Sequence, residues 1–302
     1  RAKPVSDGAR WIDIAGVRVL CFGAGVSGTS PPHPASTTLG GPLPEGRGGP
    51  ERRGLLPLLP SGEKVAAKRP DGGGEALHDA NAAIVYFHGG GFIVGSPLTH
   101  ADIATELMKH TGVPLYSVDY RLAPDHAAPA PAADGISVIR HLLSEGFSRI
   151  LLCGDSAGGA IALSVEATLP DDLRRHIIGV ASFYGAHGLL DTNSLIEKGS
   201  REDGTDRACV ARYFLAAGGD AYSIEALARQ SPVPVYLMAA DDDALRDDTL
   251  ILAQAMKHHE RDVTLDVVIG ENHGFLHHQP HYTRADAALI RFAAWVERLD
   301  RN

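Results

Sequence analysis

RILLCGDSAGGAIALSVEA, residues 149–167, runs from a short apolar stretch into a longer one through a turn crowded with glycine. RILLC has the length and character of a buried strand, and AIALSVEA that of a helix. Between them, Gly154-Asp155-Ser156-Ala157-Gly158-Gly159 holds the only G-x-S-x-G match in the chain. A strand–turn–helix of this kind forces its Ser into a strained backbone conformation at the tip of the turn. It also needs small residues where strand and helix backbones approach, and Gly154, Ala157, Gly158 and Gly159 supply them.

The same rhythm extends to both sides. Upstream, Ala82–Phe87 reads as a strand, 99–112 as a helix capped by Thr99 and ended by Gly112, 113–120 as a strand, and 131–146 as a helix. Downstream, strands are expected at 177–185, 234–240 and 263–270, with helices at 247–260 and 283–299. Apolar runs alternating with helices predict a mostly parallel sheet covered on both faces. Residues 186–231 interrupt the rhythm. They hold one expected helix, Arg207–Ala217, and are placed as a cap over one end of the sheet. Residues 29–74 are rich in Pro, Gly and Arg, which excludes long helices. GLLPLLPSGEKVAAKRP (54–70) is expected to add one or two edge strands at the periphery.

The chain has 302 residues, 44% hydrophobic and 22% charged, enough for a large core. A formal charge of −9 and the lack of basic runs argue against nucleic acid. No stretch approaches a membrane span and no apolar signal region follows the N-terminus, so no membrane partner is expected. Three scattered cysteines, Cys21, Cys153 and Cys209, form no metal or disulfide pattern and suit the cytoplasm.

A competing motif lies at Gly23-Ala24-Gly25-Val26-Ser27-Gly28, after the apolar strand that begins at Val17. It fits the dinucleotide pattern G-x-G-x-x-G. That pattern works only where a helix follows at once, presenting its N-terminus to the pyrophosphate. Pro31, Pro32 and Pro34 stand where the helix should grow. The motif is therefore read as a decoy.

His88-Gly89-Gly90-Gly91-Phe92 follows the strand Ala82–Phe87. Glycines let backbone N–H groups approach a developing oxyanion, and the residue after the nucleophile adds another donor. Gly89, Gly90 and Ala157 are the expected donors. A Ser nucleophile also needs a base and an orienting carboxylate, here in the order Ser, acid, His. YLMAADDDALRDD (236–248) places carboxylates past one strand end, and VVIGENHGFLHH (267–278) places His273 past the next.

HGGGF, DYRLAPDHAAPAPAADG, GDSAGG, DDALRDD and NHGF occur in this order from Ala82 onward. Together they resemble the hormone-sensitive-lipase-like carboxylesterases of the α/β-hydrolase fold. The resemblance implies one α/β-hydrolase domain over 1–302, a doubly wound, mostly parallel sheet with a small helical cap drawn from 1–75 and 186–231. It selects Asp243, the first residue of D-x-L-x-D, over Asp241, Asp242, Asp247 and Asp248. Ala244 stands where Pro is common in the family. It further implies a serine carboxylesterase for short acyl esters, with Ser156, Asp243 and His273 catalytic, no metal or organic cofactor, and by analogy a homodimer.

Asp155 is expected to support the turn, and Arg121 and Asp125 to pin a loop. Phe92 and Tyr184 are candidates for the acyl pocket. His273/His277 and His277/His281 stand at i, i+4, a zinc spacing, but His278 beside them suggests simply exposed loop histidines. A metal would also take the lone pair His273 needs as a base. Asp241–Asp243 lacks a calcium-loop pattern. Two other functions remain compatible with the sequence: an amidase or deacetylase on the same fold, and a non-catalytic small-molecule receptor.

Overall fold

Every residue of Ala82–Phe87 is buried, on both faces of the strand. Ala83, Val85 and Phe87 point into one core layer, and Ala82, Ile84 and Tyr86 into the other. This two-sided burial is what a continuous apolar run in a sheet between helical layers requires. The computed structural model describes residues 9–23, 81–229, 231–278 and 283–299.

In chain order the described elements are β1 (Arg10–Ile14), β2 (Val17–Phe22), β3 (Ala82–Phe87), α1 (Ala101–Thr111), β4 (Leu115–Asp119), α2 (Ala130–Ser144), β5 (Arg149–Asp155), α3 (Ala157–Thr168), α4 (Asp171–Arg174), β6 (Ile177–Phe183), α5 (Asn193–Lys198), α6 (Arg207–Ala217), α7 (Ile224–Leu227), β7 (Val235–Ala240), α8 (Arg246–His258), β8 (Val263–Val268) and α9 (Thr283–Leu299). The eight strands form one sheet in the order β1-β2-β4-β3-β5-β6-β7-β8. The last six in that order are parallel; β1 and β2 pair antiparallel with each other, and β2 with β4. α1 and α9 contribute to one core layer, and α2, α3 and α8 to the other. No helix among the described residues is long and apolar enough to cross a membrane.

Strand β1 was not expected. It joins β2 through Ala15 and Gly16, both at positive φ (52° and 84°), as a two-residue hairpin turn of the twisted kind demands. β2 runs antiparallel to both neighbours, whereas a dinucleotide turn follows a strand of a parallel βαβ unit. The strand before Gly23 thus lacks the setting that motif needs; residues 24–28, and the edge strands expected within 54–70, lie outside the described residues.

Two local expectations are corrected. Thr99 does not cap α1. Its hydroxyl is committed to Ser96, accepting from the N–H and donating to the carbonyl, both at 2.9 Å, and His100 precedes the helix instead. Gly112 does end it, in the left-handed conformation at φ 70°. In 186–231 the helix Arg207–Ala217 lies where expected, but α5 and α7 accompany it, each capped by a hydroxyl, Thr192 and Ser223.

Candidate active site

Ser156 sits between β5 and α3 at φ 51°, ψ −121°, a conformation that strains any residue with a side chain. The surroundings hold it there. Its N–H donates to the Phe183 carbonyl at 2.8 Å, and its carbonyl accepts from Gly159 and Ala186. Its hydroxyl is left to face His273, with Oγ 2.9 Å from Nε2. His273 Nδ1 lies 2.9 Å from Asp243 Oδ2. Three side chains from three strand ends form one hydrogen-bonded line.

Of the five carboxylates at the end of β7, the structure brings only Asp243 to His273. Asp243 is buried, and its other oxygen accepts from the Leu245 N–H at 2.8 Å, which fixes the carboxylate. Asp241 offers its carbonyl to Lys198 and Arg246. Asp242 is exposed and pairs with Lys198. Asp247 pairs with Arg246 and holds Ser194. Asp248 accepts from the His187 N–H in the interior, where burial pushes its carboxyl up to about 7.

Burial alone would lower the pKa of His273. The charge and hydrogen bond of Asp243 oppose this, with help from Asp155 and Asp203, and leave it above the ordinary 6.5. The site therefore favours an imidazolium at Nε2, the species formed when His273 takes a proton from Ser156.

The glycine loop requires one correction. The Gly89 N–H is already used: it donates to Asp155 Oδ1 at 2.8 Å, and Gly89 does not line the cavity. Gly90 and Gly91 do line it. Their N–H groups take no partner among the described residues. Gly90 adopts φ 119°, and a Cβ there would lie 2.1 Å from the Val94 carbonyl oxygen, so only glycine fits. Asp155 also accepts from Tyr86 Oη at 2.5 Å. Burial and the Asp155 charge keep that phenol well above its ordinary pKa, hence a donor. Asp155 thus ties the glycine loop to the Ser156 turn, the supporting role expected of it.

A family model described as alpha/beta hydrolase fold matches residues 84–277. The chain belongs to that family. An acetyl esterase of Salmonella paratyphi B is 31% identical over 227 residues, covering 70% of this chain and 70% of its own. A hyperthermophilic esterase from the archaeon Pyrobaculum calidifontis is 28% identical, with a TM-score of 0.64 over 72% of this chain and 75% of its own. An esterase from the bacterial hormone-sensitive lipase family superposes on 98% of this chain and 86% of its own, with a TM-score of 0.72 at 20% identity, a likeness of fold.

Ser156 and His273 of this alpha/beta hydrolase open into a cavity of about 450 Å³. Phe92 and Tyr184 both line it. Phe92 stacks on Tyr222 at 4.6 Å and meets the edge of Phe214 at 5.2 Å; Tyr184 packs edge-on against His273 at 5.2 Å. The 186–231 segment supplies Val210, Tyr213 and Phe214 from α6, together with the Asp203–Thr205 turn. None of these was singled out in the sequence, because a short amphipathic helix shows which residues are apolar but not what they face. Arg121 holds Asp134 at 2.8 Å, the pinning role expected of it, and Asp125 is exposed. His277 is exposed, as expected, and packs edge-on against His100 at 4.6 Å. His281, and so the His277/His281 spacing, lies outside the described residues.

Proposed function

We propose that the protein is a serine carboxylesterase for short-chain acyl esters. The observation that carries this reading is the line Ser156–His273–Asp243 at a cavity whose wall includes Gly90 and Gly91. Ser156 Oγ attacks the ester carbonyl while His273 Nε2 takes its proton. Asp243 keeps the remaining proton on Nδ1 and stabilises the imidazolium. The N–H groups of Gly90, Gly91 and Ala157 receive the oxyanion, Gly91 replacing the Gly89 of the sequence reading. His273 then protonates the departing alcohol, and water repeats the sequence on the acyl-enzyme, releasing the acid and restoring Ser156.

Short acyl chains are supported by the acetyl esterase relative and by the crowding of Phe92 and Phe214 in the cavity wall, with Tyr222 packed behind Phe92. Hydrolysis of p-nitrophenyl acetate, butyrate, octanoate and palmitate tests this. kcat/KM should be highest for acetate or butyrate and fall at least tenfold by palmitate. A maximum at octanoate or palmitate contradicts the short-chain assignment. Three free, buried cysteines accord with a reducing compartment, and we place the protein in the cytoplasm.

The pH profile follows from His273. Only the neutral imidazole can accept the Ser156 proton, and its pKa lies above the ordinary 6.5. kcat/KM should therefore rise with pH through a midpoint above 6.5 and fall about tenfold per unit below it. A flat profile from pH 5 to 8 would show that His273 is not the base.

A further inference from the structure

We propose that His100, Asp155 and His277 form a site for a zinc-class divalent ion on the cavity wall. Each offers a ligand atom, and all three atoms lie within 4.8 Å of one another. His100 Nε2 and Asp155 Oδ2 are 3.7 Å apart. Tetrahedral zinc with bonds of about 2.0 Å separates its ligands by about 3.3 Å, so this pair needs to close by only a few tenths of an ångström.

The hydrogen-bond network fixes what these atoms present to each other. The Thr99 hydroxyl proton goes to the Ser96 carbonyl, so toward His100 Nδ1, at 2.8 Å, Thr99 can only accept. Nδ1 therefore carries a proton, and in the neutral imidazole Nε2 presents the lone pair. Asp155 Oδ1 takes both of that residue's donors, Tyr86 and Gly89. Its Oδ2 faces the Nε2 lone pair across a gap too long for a hydrogen bond. Two buried acceptors turned toward each other are stabilised by a cation between them. Thr99 thus does for His100 what outer partners do for metal-bound histidines: it sets the tautomer and aims the ring.

His277 completes the set, its ligand atom within 4.8 Å of the other two. It lies on the 3₁₀ turn Phe275–His278, is exposed, and packs edge-on against His100. Two imidazoles and one carboxylate are a zinc donor set with a fourth position left open. That position faces the cavity, since all three residues line it. A bound ion would join the start of α1 to the turn that follows His273. His273 is not a ligand, so it keeps the lone pair it needs. The proposal stands apart from the esterase reading, and its test uses no ester.

The test titrates the metal-free protein with Co²⁺, following visible absorption, and with Zn²⁺ in competition with a chromophoric chelator. We expect one equivalent of either ion in wild type and a Co²⁺ spectrum of low coordination number. His277→Ala, at an exposed position, and His100→Gln should each weaken Zn²⁺ by at least about tenfold. His273→Ala should bind as wild type does. Circular dichroism checks that each variant is folded. No stoichiometric binding by wild type, an unchanged affinity in folded His277→Ala, or a loss confined to His273→Ala would each overturn the proposal.

Discussion

Ser156→Ala should lower kcat for p-nitrophenyl acetate by about 10⁴- to 10⁶-fold while leaving the protein folded. The size of the effect follows from the geometry. Ser156 Oγ is the atom aligned with His273 at 2.9 Å, and His273 is in turn held by Asp243. Removing the oxygen leaves a base with nothing to deprotonate, whereas the glycine N–H groups and the cavity remain. Residual hydrolysis above the uncatalysed rate should come from them. Stability should change little, because the backbone bonds that Ser156 donates to Phe183 and accepts from Gly159 and Ala186 hold the turn and the hydroxyl does not. Thermal unfolding of the variant beside its kinetics separates a lost nucleophile from a lost fold.

Gly158→Ala should be severe for a different reason. A Cβ at Gly158 would lie 2.0 Å from the Phe87 carbonyl oxygen and 2.6 Å from that of His88. Neither oxygen belongs to a flexible side chain that could swing away. Phe87 ends β3, at the centre of the sheet, and the His88 carbonyl accepts from Tyr120 Oη at 2.8 Å. Either α3 retreats or β3 bows, and overpacking of this kind costs about 3 kcal/mol, more where the neighbours are rigid. Both movements disturb the site, since Ser156 precedes α3 and the glycine loop follows β3. Urea denaturation should show a lower midpoint with an unchanged slope, and hydrolysis should fall even where the variant is fully folded. A variant with wild-type stability would show that the α3–β3 approach is looser than described.

Much of this was legible in the sequence because it depends on local pattern. Continuous apolar runs alternating with helices marked β3 to β8, and the small residues around Ser156 marked the turn. Asp243 could be chosen from five neighbouring carboxylates only through the family's D-x-L-x-D order. The structure shows the physical reason for three of the others: Asp242 pairs with Lys198, Asp247 with Arg246, and Asp248 is turned to the His187 N–H. What was missed depends on partners distant in sequence. HGGG does not say which glycine keeps a free N–H; Asp155, 66 residues after Gly89, decides it by occupying that one. Thr99 looked like a helix cap because its competing bonds to Ser96 are invisible in composition. The β1 hairpin was overlooked because Ala15-Gly16 is a weaker turn signal than Asn-Gly. His100 and His277, 177 positions apart, meet only in the folded chain.

A serine esterase of this geometry passes through an ester of its own Ser156. The most direct test mixes enzyme with excess p-nitrophenyl butyrate, follows p-nitrophenol release on the millisecond scale, quenches in acid and maps the modified peptide by mass spectrometry. A butyryl group is expected on the peptide carrying Gly154-Asp155-Ser156-Ala157-Gly158, located on Ser156 and absent from Ser156→Ala. Turnover with the adduct on another residue, or turnover that persists in Ser156→Ala, would contradict it.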